Sequence, residues 1–477
     1  MKSLIRYILI VFFCSNTLHG FGQEITISDG LDIQNAISYD FLGKSNNNYL
    51  LFFEKEGANE VVALNEKLKY DWAKEIYLDK RRPQVIGVIG QKNAFCILYV
   101  FQKKSSKAIK LHKYDFNCNL IDSFTIKEIS NSFYQGLPTM VLSEDKNMVY
   151  LFNKKNADFD IIDGFVFQLD KQIKLWDKSI FLEEQLESKR LNPILLANNG
   201  TVYFISERNS SKLEKHLIEI IAVNNENVDQ KVNIPLDQFY TYDIKYVIDN
   251  LNNRLQAVGL TGDKSLSRAK GIFHITMQLN DTSHQFLINN YPFSDSLASN
   301  ISGKKTVQNK GILDVIVDQI ILRKDGGLLA IIEQKKVVER RIVANRSPYG
   351  SNQYMPIFDH YNDNLLLYSF HPDGRSHWYT VLNKSQFSSE DDGVFNSYFL
   401  MKSPSNIKIL YNDEIRDNTT ISEYLVAPNG SFDRSSVLTT EKKDIKLRFK
   451  DGIQLSGNES LIPSENRNKL KIVRFKY

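Results

Sequence analysis

Along most of this chain, short stretches of alternating apolar and polar residues run into tight polar turns, and the same unit returns at a near-constant interval. Seven turns of this kind join two alternating stretches: Leu64-Asn65-Glu66, Phe116-Asn117-Cys118, Leu169-Asp170-Lys171, Asn224-Asn225-Glu226, Leu279-Asn280-Asp281, Pro372-Asp373-Gly374 and Pro428-Asn429-Gly430. Asp-Gly and Asn-Gly are strong hairpin signals, because both residues accept the positive φ that a two-residue turn demands. Taking the Asn or Asp of each turn as a marker places them at 65, 117, 170, 225, 280, 373 and 429, with steps of 52, 53, 55, 55, 93 and 56. Period-two alternation with a repeat of this length, and no helical pattern between most turns, is the signature of four-stranded propeller blades. The pattern predicts an all-β fold: a single β-propeller of eight blades, with seven as the alternative.

Each repeat reads as strands A, B, C and D, with the marked turn joining C to D. After the seventh turn the chain supplies three further strands, Lys446–Leu455, Ser460–Ile462 and Leu470–Tyr477. The fourth strand of that last blade is expected from Glu24–Ser28, which closes the ring and removes an exposed sheet edge. A helix-like connection at Glu183–Leu191 is the one clear interruption. The long step is accounted for by two polar insertions, 291–310 between blades five and six and 335–353 within blade six. The first is a D-to-A connection and the second a B-to-C connection. Strands alternate in direction, so both leave the same face. Long loops on a rigid scaffold are where binding sites are built.

The N-terminus changes the picture of where this fold works. Lys2 and Arg6 precede an apolar run from Tyr7 to Cys14, and Gly20-Phe21-Gly22 puts small residues at the −3 and −1 positions of a cleavage site. Residues 1–22 therefore read as a signal peptide and 23–477 as the propeller, exported to the periplasm or secreted. The alternative, a lipoprotein acylated at Cys14, is disfavoured by Phe12-Phe13 where a lipobox needs small residues. The apolar run is too short to span a bilayer, and no later segment approaches spanning length. Loss of Lys2 and Arg6 lowers the net charge from +4 to +2, which is not the balance of a nucleic-acid binder. Cys96 and Cys118, the two cysteines that survive cleavage, are too few for a disulfide framework and are expected as unpaired thiols.

Candidate chemistry gathers on the inserted face. Its B-to-C loops carry many cations, and the blade-six loop holds four: Lys335, Lys336, Arg340 and Arg341. Such a cluster raises the local concentration of an anionic ligand. Carboxylates occur on the same face at Glu390, Asp391 and Asp392 and again at Asp413. Paired carboxylates suit glycoside hydrolysis or oxygen-ligated calcium, but no Asp-x-Asp-x-Asp-Gly loop is present. There is likewise no phosphate-cradling glycine loop, no His-Glu-x-x-His and no Gly-x-Ser-x-Gly. No cofactor or metal is expected. His371 and His377 flank a hairpin turn whose ideal register keeps their rings apart. Trp72, Trp176 and Trp378 fall on outer D strands, as packing between blades.

Residues 312–477 carry Asp325-Gly326-Gly327, Glu333-Gln334, Lys384-Ser385-Gln386, Tyr411-Asn412-Asp413 and Gly452-Ile453-Gln454. In these short motifs the C-terminal third resembles a group of uncharacterised exported propeller-like proteins of Gram-negative bacteria. That resemblance implies export and a propeller, and no activity. The sequence thus points to a binding or scaffolding propeller of the cell envelope. Its partner would be a protein or a polysaccharide, and the cation cluster suits an anionic ligand. The alternative is a carbohydrate- or peptide-acting enzyme using the carboxylates of the inserted face.

Overall fold

Strand B of the second repeat, Ala94–Gln102, is apolar from Ala94 through Phe101 rather than alternating. A strand reads this way when both of its faces are covered. Phe95, Ile97 and Tyr99 pack with Leu50, Phe52 and Val61 of the preceding repeat. Cys96, Leu98 and Val100 point the other way and pack with Val149, Leu151 and Phe165 of the following one. A sheet sandwiched between two like itself, repeated around an axis, gives a propeller. The computed structural model describes residues 23–477 apart from 46, 80–82, 103–105, 131–135, 156–160, 182–189, 192, 211, 227–229, 280–284, 304–310, 346–352, 414–419 and 440–444. The described residues form eight antiparallel sheets, and eight apolar clusters fill the seams between successive blades.

Eight blades, not seven, are therefore present. Blade one is built from Ala36–Ser45, Asn48–Lys55, Ala58–Asn65 and Tyr70–Ile76, hydrogen-bonded in that order. Blade eight takes Ile453–Ser456, Glu459–Asn466 and Lys469–Lys476 from the C-terminus and Glu24–Ile27 from the N-terminal end as its outermost strand. The register runs from Glu24 opposite Lys476 to Ile27 opposite Val473. Arg474, almost fully buried, fastens this junction. It donates to Glu24 Oε1 at 2.6 Å, to Thr26 Oγ1 at 2.9 Å, to Tyr49 Oη at 3.1 Å and to the Glu66 carbonyl at 2.6 Å, thereby linking the added strand to blade one.

Three expectations need correction. The 335–353 insertion is no loose loop. Strands Leu328–Asn345 and Gln353–Phe370 run on as one long antiparallel hairpin, paired from Leu328–Phe370 out to Asn345–Gln353. The 291–310 insertion contains an α-helix, Asp295–Ser302, started by the Ser294 side chain accepting from Leu297 N at 3.2 Å and ended by Gly303 at φ 62°. Its Leu297, Ala298 and Ile301 are buried in the seam between blades five and six. Within Lys446–Leu455 a single 3-10 turn, Phe449–Asp451, precedes the strand, which starts only at Ile453. The signal-peptide segment, Cys14, Lys103, Lys104 and 183–189 lie outside the described residues, and Arg190–Leu191 forms a short strand rather than a helix end.

The cysteines are free because the blade-two sheet separates them: Cys96 belongs to the seam with blade three, and Cys118 packs into the seam with blade one. Burial pushes both thiols up to about 11. Burial acts in the opposite sense on His274, whose Nε2 lies 3.1 Å from Gln256 Oε1 and 3.2 Å from Thr276 Oγ1 and whose ring stacks on Phe370 across a seam. Its pKa falls from 6.5 to about 4. A neutral imidazole in the fold and a protonatable one in the unfolded chain make stability fully present above pH 6.5 and progressively lost as pH falls toward 4. The loss from this one group amounts to about 3 kcal/mol. Thermal unfolding followed at pH 7 and pH 4 is expected to show His274→Gln losing less stability on acidification than the parent, by roughly that amount.

Candidate functional site

The hairpin of blade six builds the inserted face. Val315–Leu322 pairs with its first strand as far as Gln334, and Lys335 N still donates to the Asp314 carbonyl at 2.6 Å; beyond that, no further strand among the described residues pairs with this inner edge. The second strand is covered at its base by Gln386–Ser389, which pairs with Asp359–Asn362. Farther out the two strands pair only with each other. The helix Asp295–Ser302 lies beside the base of the hairpin, where Asn364 Nδ2 donates to the Ile301 carbonyl at 2.8 Å.

The four cations do not form one set. The pleat sends Lys335, Val337, Glu339 and Arg341 to one side of the hairpin and Lys336, Val338 and Arg340 to the other. Arg340 is engaged by the buried Asp359, with Nη2 donating to Oδ1 at 2.8 Å and Nε to Oδ2, and Ser389 Oγ donates to the same carboxylate at 2.8 Å. Arg341 is exposed and reaches Glu339 at 3.5 Å. Lys335 is half-buried at the base. Burial, and next the nearby Lys335 charge, lower the Lys450 ammonium below its ordinary value. Charged residues along an open strand edge also discourage unwanted strand pairing, which gives these cations a structural role beside any ligand. Elsewhere on the face Arg208 is buried against Glu219 at 2.5 Å rather than offered to solvent.

The carboxylates are equally dispersed. Glu390 and Asp392 occupy left-handed backbone positions, φ 61° and 53°, in the turn that leads from blade six to blade seven. Between them Asp391 Oδ1 caps the turn by accepting from Gly393 N at 2.9 Å. Asp413 sits on blade seven, held by Arg434 Nη2 at 2.6 and 2.9 Å and by Ser422 Oγ at 2.7 Å. Asp391 and Asp413 thus have separate partners, and among the described residues no hydrogen bond joins Asp413 to the Glu390–Asp392 turn. Among the described residues no group of three His, Cys, Asp or Glu is placed to hold a metal ion.

Beneath the hairpin lies an arrangement that sequence reading missed. Lys384 and Glu333, both with fully buried side chains, form an ion pair at 2.9 Å. The Lys384 ammonium spends its other two protons on the Asn362 carbonyl and Gln386 Oε1, each at 2.9 Å. Ser397, in a left-handed conformation at φ 77°, donates its N–H to Gln386 Oε1 at 2.8 Å and its hydroxyl to Glu333 Oε2 at 3.2 Å. Gln386 Nε2 donates to the Asn412 carbonyl at 2.8 Å. Burial drives the Lys384 ammonium below its ordinary value, and Glu333 opposes the shift. The network ties blade six, the connection to blade seven and blade seven itself into one unit. It is drawn from the motifs Glu333-Gln334, Lys384-Ser385-Gln386 and Tyr411-Asn412-Asp413.

On the opposite face the histidines depart from expectation. A β-bulge between Ser369 and Phe370 opposite the D strand shifts the register at His377, so the His371 and His377 rings come together, tilted by 36° with centroids 4.2 Å apart. The tryptophans lie on D strands as expected, and two bridge blades: Trp176 Nε1 donates to the Gly200 carbonyl at 3.0 Å and Trp378 Nε1 to that of Pro428 at 2.9 Å.

Compared by sequence, the chain matches no protein-family model, and no curated protein is similar to it. Compared by structure, it is similar to known propellers. The WD40 domain of SCAP from fission yeast shares 7% identity over 95% of this chain and 98% of that one, with a TM-score of 0.41. BamB from Moraxella catarrhalis shares 10% over 95% and 100%, with a TM-score of 0.40. The Nup133 β-propeller domain of Vanderwaltozyma polyspora shares 9% over 82% and 99%, with a TM-score of 0.39. The likeness is one of architecture alone. No helix among the described residues is long and apolar enough to cross a membrane.

Proposed function

We propose that this chain is an exported binding or scaffolding propeller of the cell envelope, and that the blade-six hairpin is its docking arm. The observation that carries the reading is the hairpin itself. Two strands of eighteen residues outgrow a blade whose innermost and outermost strands have eight and seven, and the excess exposes Val337, Met355 and Phe358 at 50%, 58% and 43%. Extra strand length of this kind adds nothing to the blade seams, and apolar side chains held in solvent on paired backbone favour a protein partner over a polysaccharide. The buried Glu333–Lys384 network supports the base of the arm, as a docking element requires. Export rests on Lys2, Arg6 and the apolar run that follows them.

Replacing Val337 and Phe358 together by Lys tests the assignment, because both are exposed on the same side of the hairpin and their loss leaves the seams intact. A photo-crosslinker placed at Met355 in the native host is expected to capture a distinct partner band that the double variant loses, with unchanged thermal unfolding. The same band captured at full strength by the double variant would remove the hairpin from the interface.

A further inference from the structure

The face away from the hairpin carries a groove of about 740 Å³ in the seam between blades six and seven. Its size lies within the range of small-molecule sites. Ile321, Leu329 and Val426 form part of its lining although each is buried in the seam cluster, so the groove reaches into the core between the blades. Trp378 and Ile407 supply apolar walls, and Pro428 closes one end. At the rim stand Arg323, Lys324 and Lys402, with Asp325 as the one carboxylate in the lining. Asp325 is committed to Arg323 in an ion pair. Lys324 and Lys402 are exposed and make no ion pair with any described residue. The rim therefore carries a net positive charge above an apolar floor.

The groove is held in shape by bonds that the blades themselves do not need. Gln454 of blade eight clamps the backbone of Lys402, accepting from its N–H at 3.0 Å and donating to its carbonyl at 2.5 Å. Ser403 Oγ then closes the turn by donating to the Asn406 carbonyl at 2.9 Å. On the other wall Arg323 Nη1 donates to Ser369 Oγ at 3.2 Å, and Asp325 Oδ1 accepts from Gly327 N at 3.0 Å. The Trp378 ring is pinned by the Pro428 carbonyl and packs over Gly430, where a Cβ would meet Cε3 at 2.6 Å. The two motifs that the hairpin network leaves unused, Asp325-Gly326-Gly327 and Gly452-Ile453-Gln454, thus both serve this groove. A cleft ordered in advance loses little freedom on binding.

We propose that this groove binds a small apolar anion, its aromatic or aliphatic body lying between Trp378 and Ile407 and its carboxylate or sulfonate meeting Lys324 and Lys402. Burial of the body against the floor supplies affinity, and the two exposed ammonium groups select the charge.

The probe is 8-anilinonaphthalene-1-sulfonate, an aromatic anion whose emission rises in apolar surroundings, titrated into the full-length protein. In a Trp72→Phe/Trp176→Phe background Trp378 is the only tryptophan, and its emission is expected to transfer to the bound probe. Lys324→Glu/Lys402→Glu alters only exposed side chains. It is expected to weaken the probe at least five-fold, while raising salt from about 0.05 to 0.5 M weakens the parent but not the variant. Absence of a saturable site, or binding without transfer from Trp378, would place the probe elsewhere and overturn the proposal. So would equal affinity in the charge-reversed variant.

Discussion

Deleting residues 23–28 is expected to give aggregating material, with the unfolding midpoint of any soluble fraction sharply lowered relative to the parent. The outermost strand of blade eight is borrowed from the other end of the chain, so its loss does more than shorten a sheet. It uncovers the ladder edge of Lys469–Lys476 from Val473 outward. It strips Arg474 of Glu24 and Thr26 while leaving the guanidinium buried. It also removes Ile25 and Ile27 from the seam with blade seven. A buried cation deprived of its carboxylate, together with the lost apolar contacts, costs on the order of 5 kcal/mol. An open strand edge meanwhile recruits other chains. Size-exclusion chromatography with light scattering reads both effects. A synthetic peptide of residues 23–30 added in trans is expected to restore the monomer in part by filling the vacant ladder position. A monodisperse deletion variant with parental unfolding would show that blade eight does not need its fourth strand.

The repeat was legible because propeller blades repeat the same physical demand. Each inner strand is buried on both faces, each C-to-D turn must reverse the chain in a few residues, and Asn or Asp marks that turn. Asn65 shows why: its Oδ1 accepts from the N–H groups of Lys67 at 2.9 Å and Lys69 at 3.1 Å. Closure was legible for the complementary reason, since a blade short of one strand needs one from elsewhere. The long step holds the helix Asp295–Ser302 and the hairpin of Leu328–Asn345 and Gln353–Phe370, where polar loops are expected from the sequence. Val337, Val338, Ile342 and Val343 are β-branched residues interleaved with charges, which is strand chemistry that the eye passes over when counting cations. The helix Asp295–Ser302 departs from the expected polar loop, although Ser294, Gly303 and the apolar Leu297, Ala298 and Ile301 carry its local signal.

The candidate site was less legible, for a different reason. Arg340 looks free until Asp359, nineteen positions away, is brought beneath it by the hairpin register. Glu333 and Lys384 are 51 positions apart, and nothing local distinguishes either from a solvated residue. The pairing of His371 and His377 hangs on a bulge that the turn sequence does not encode. Pair chemistry of this kind is a property of register and of ring closure, which periodicity locates only to within a strand.

The Glu333–Lys384 pair provides the second large effect. Lys384→Met is expected to cost about 3–5 kcal/mol in chemical denaturation, because it leaves the fully buried Glu333 carboxyl without its cation. The Ser397 hydroxyl still donates to it there. Glu333→Leu/Lys384→Met removes both charges and is expected to recover more than half of that loss, since a buried ion pair gains little over a packed apolar pair of similar volume. The two variants also separate stability from architecture. Ser397 keeps a left-handed backbone that costs a non-glycine residue about 1 kcal/mol or more, and its N–H and hydroxyl are both bound to network members. Without Glu333 the hydroxyl loses its acceptor even when the core is well packed. Hydrogen exchange should therefore quicken at Gln386–Ser389 and at Asp359–Asn362, where that short strand pairs with the hairpin, in the double variant, and also in the single one, which takes the Lys384 ammonium from the Asn362 carbonyl and Gln386 Oε1. Restored stability with restored exchange protection would reduce the network to core packing. Restored stability with lasting local opening would show that its charges hold the hairpin in place.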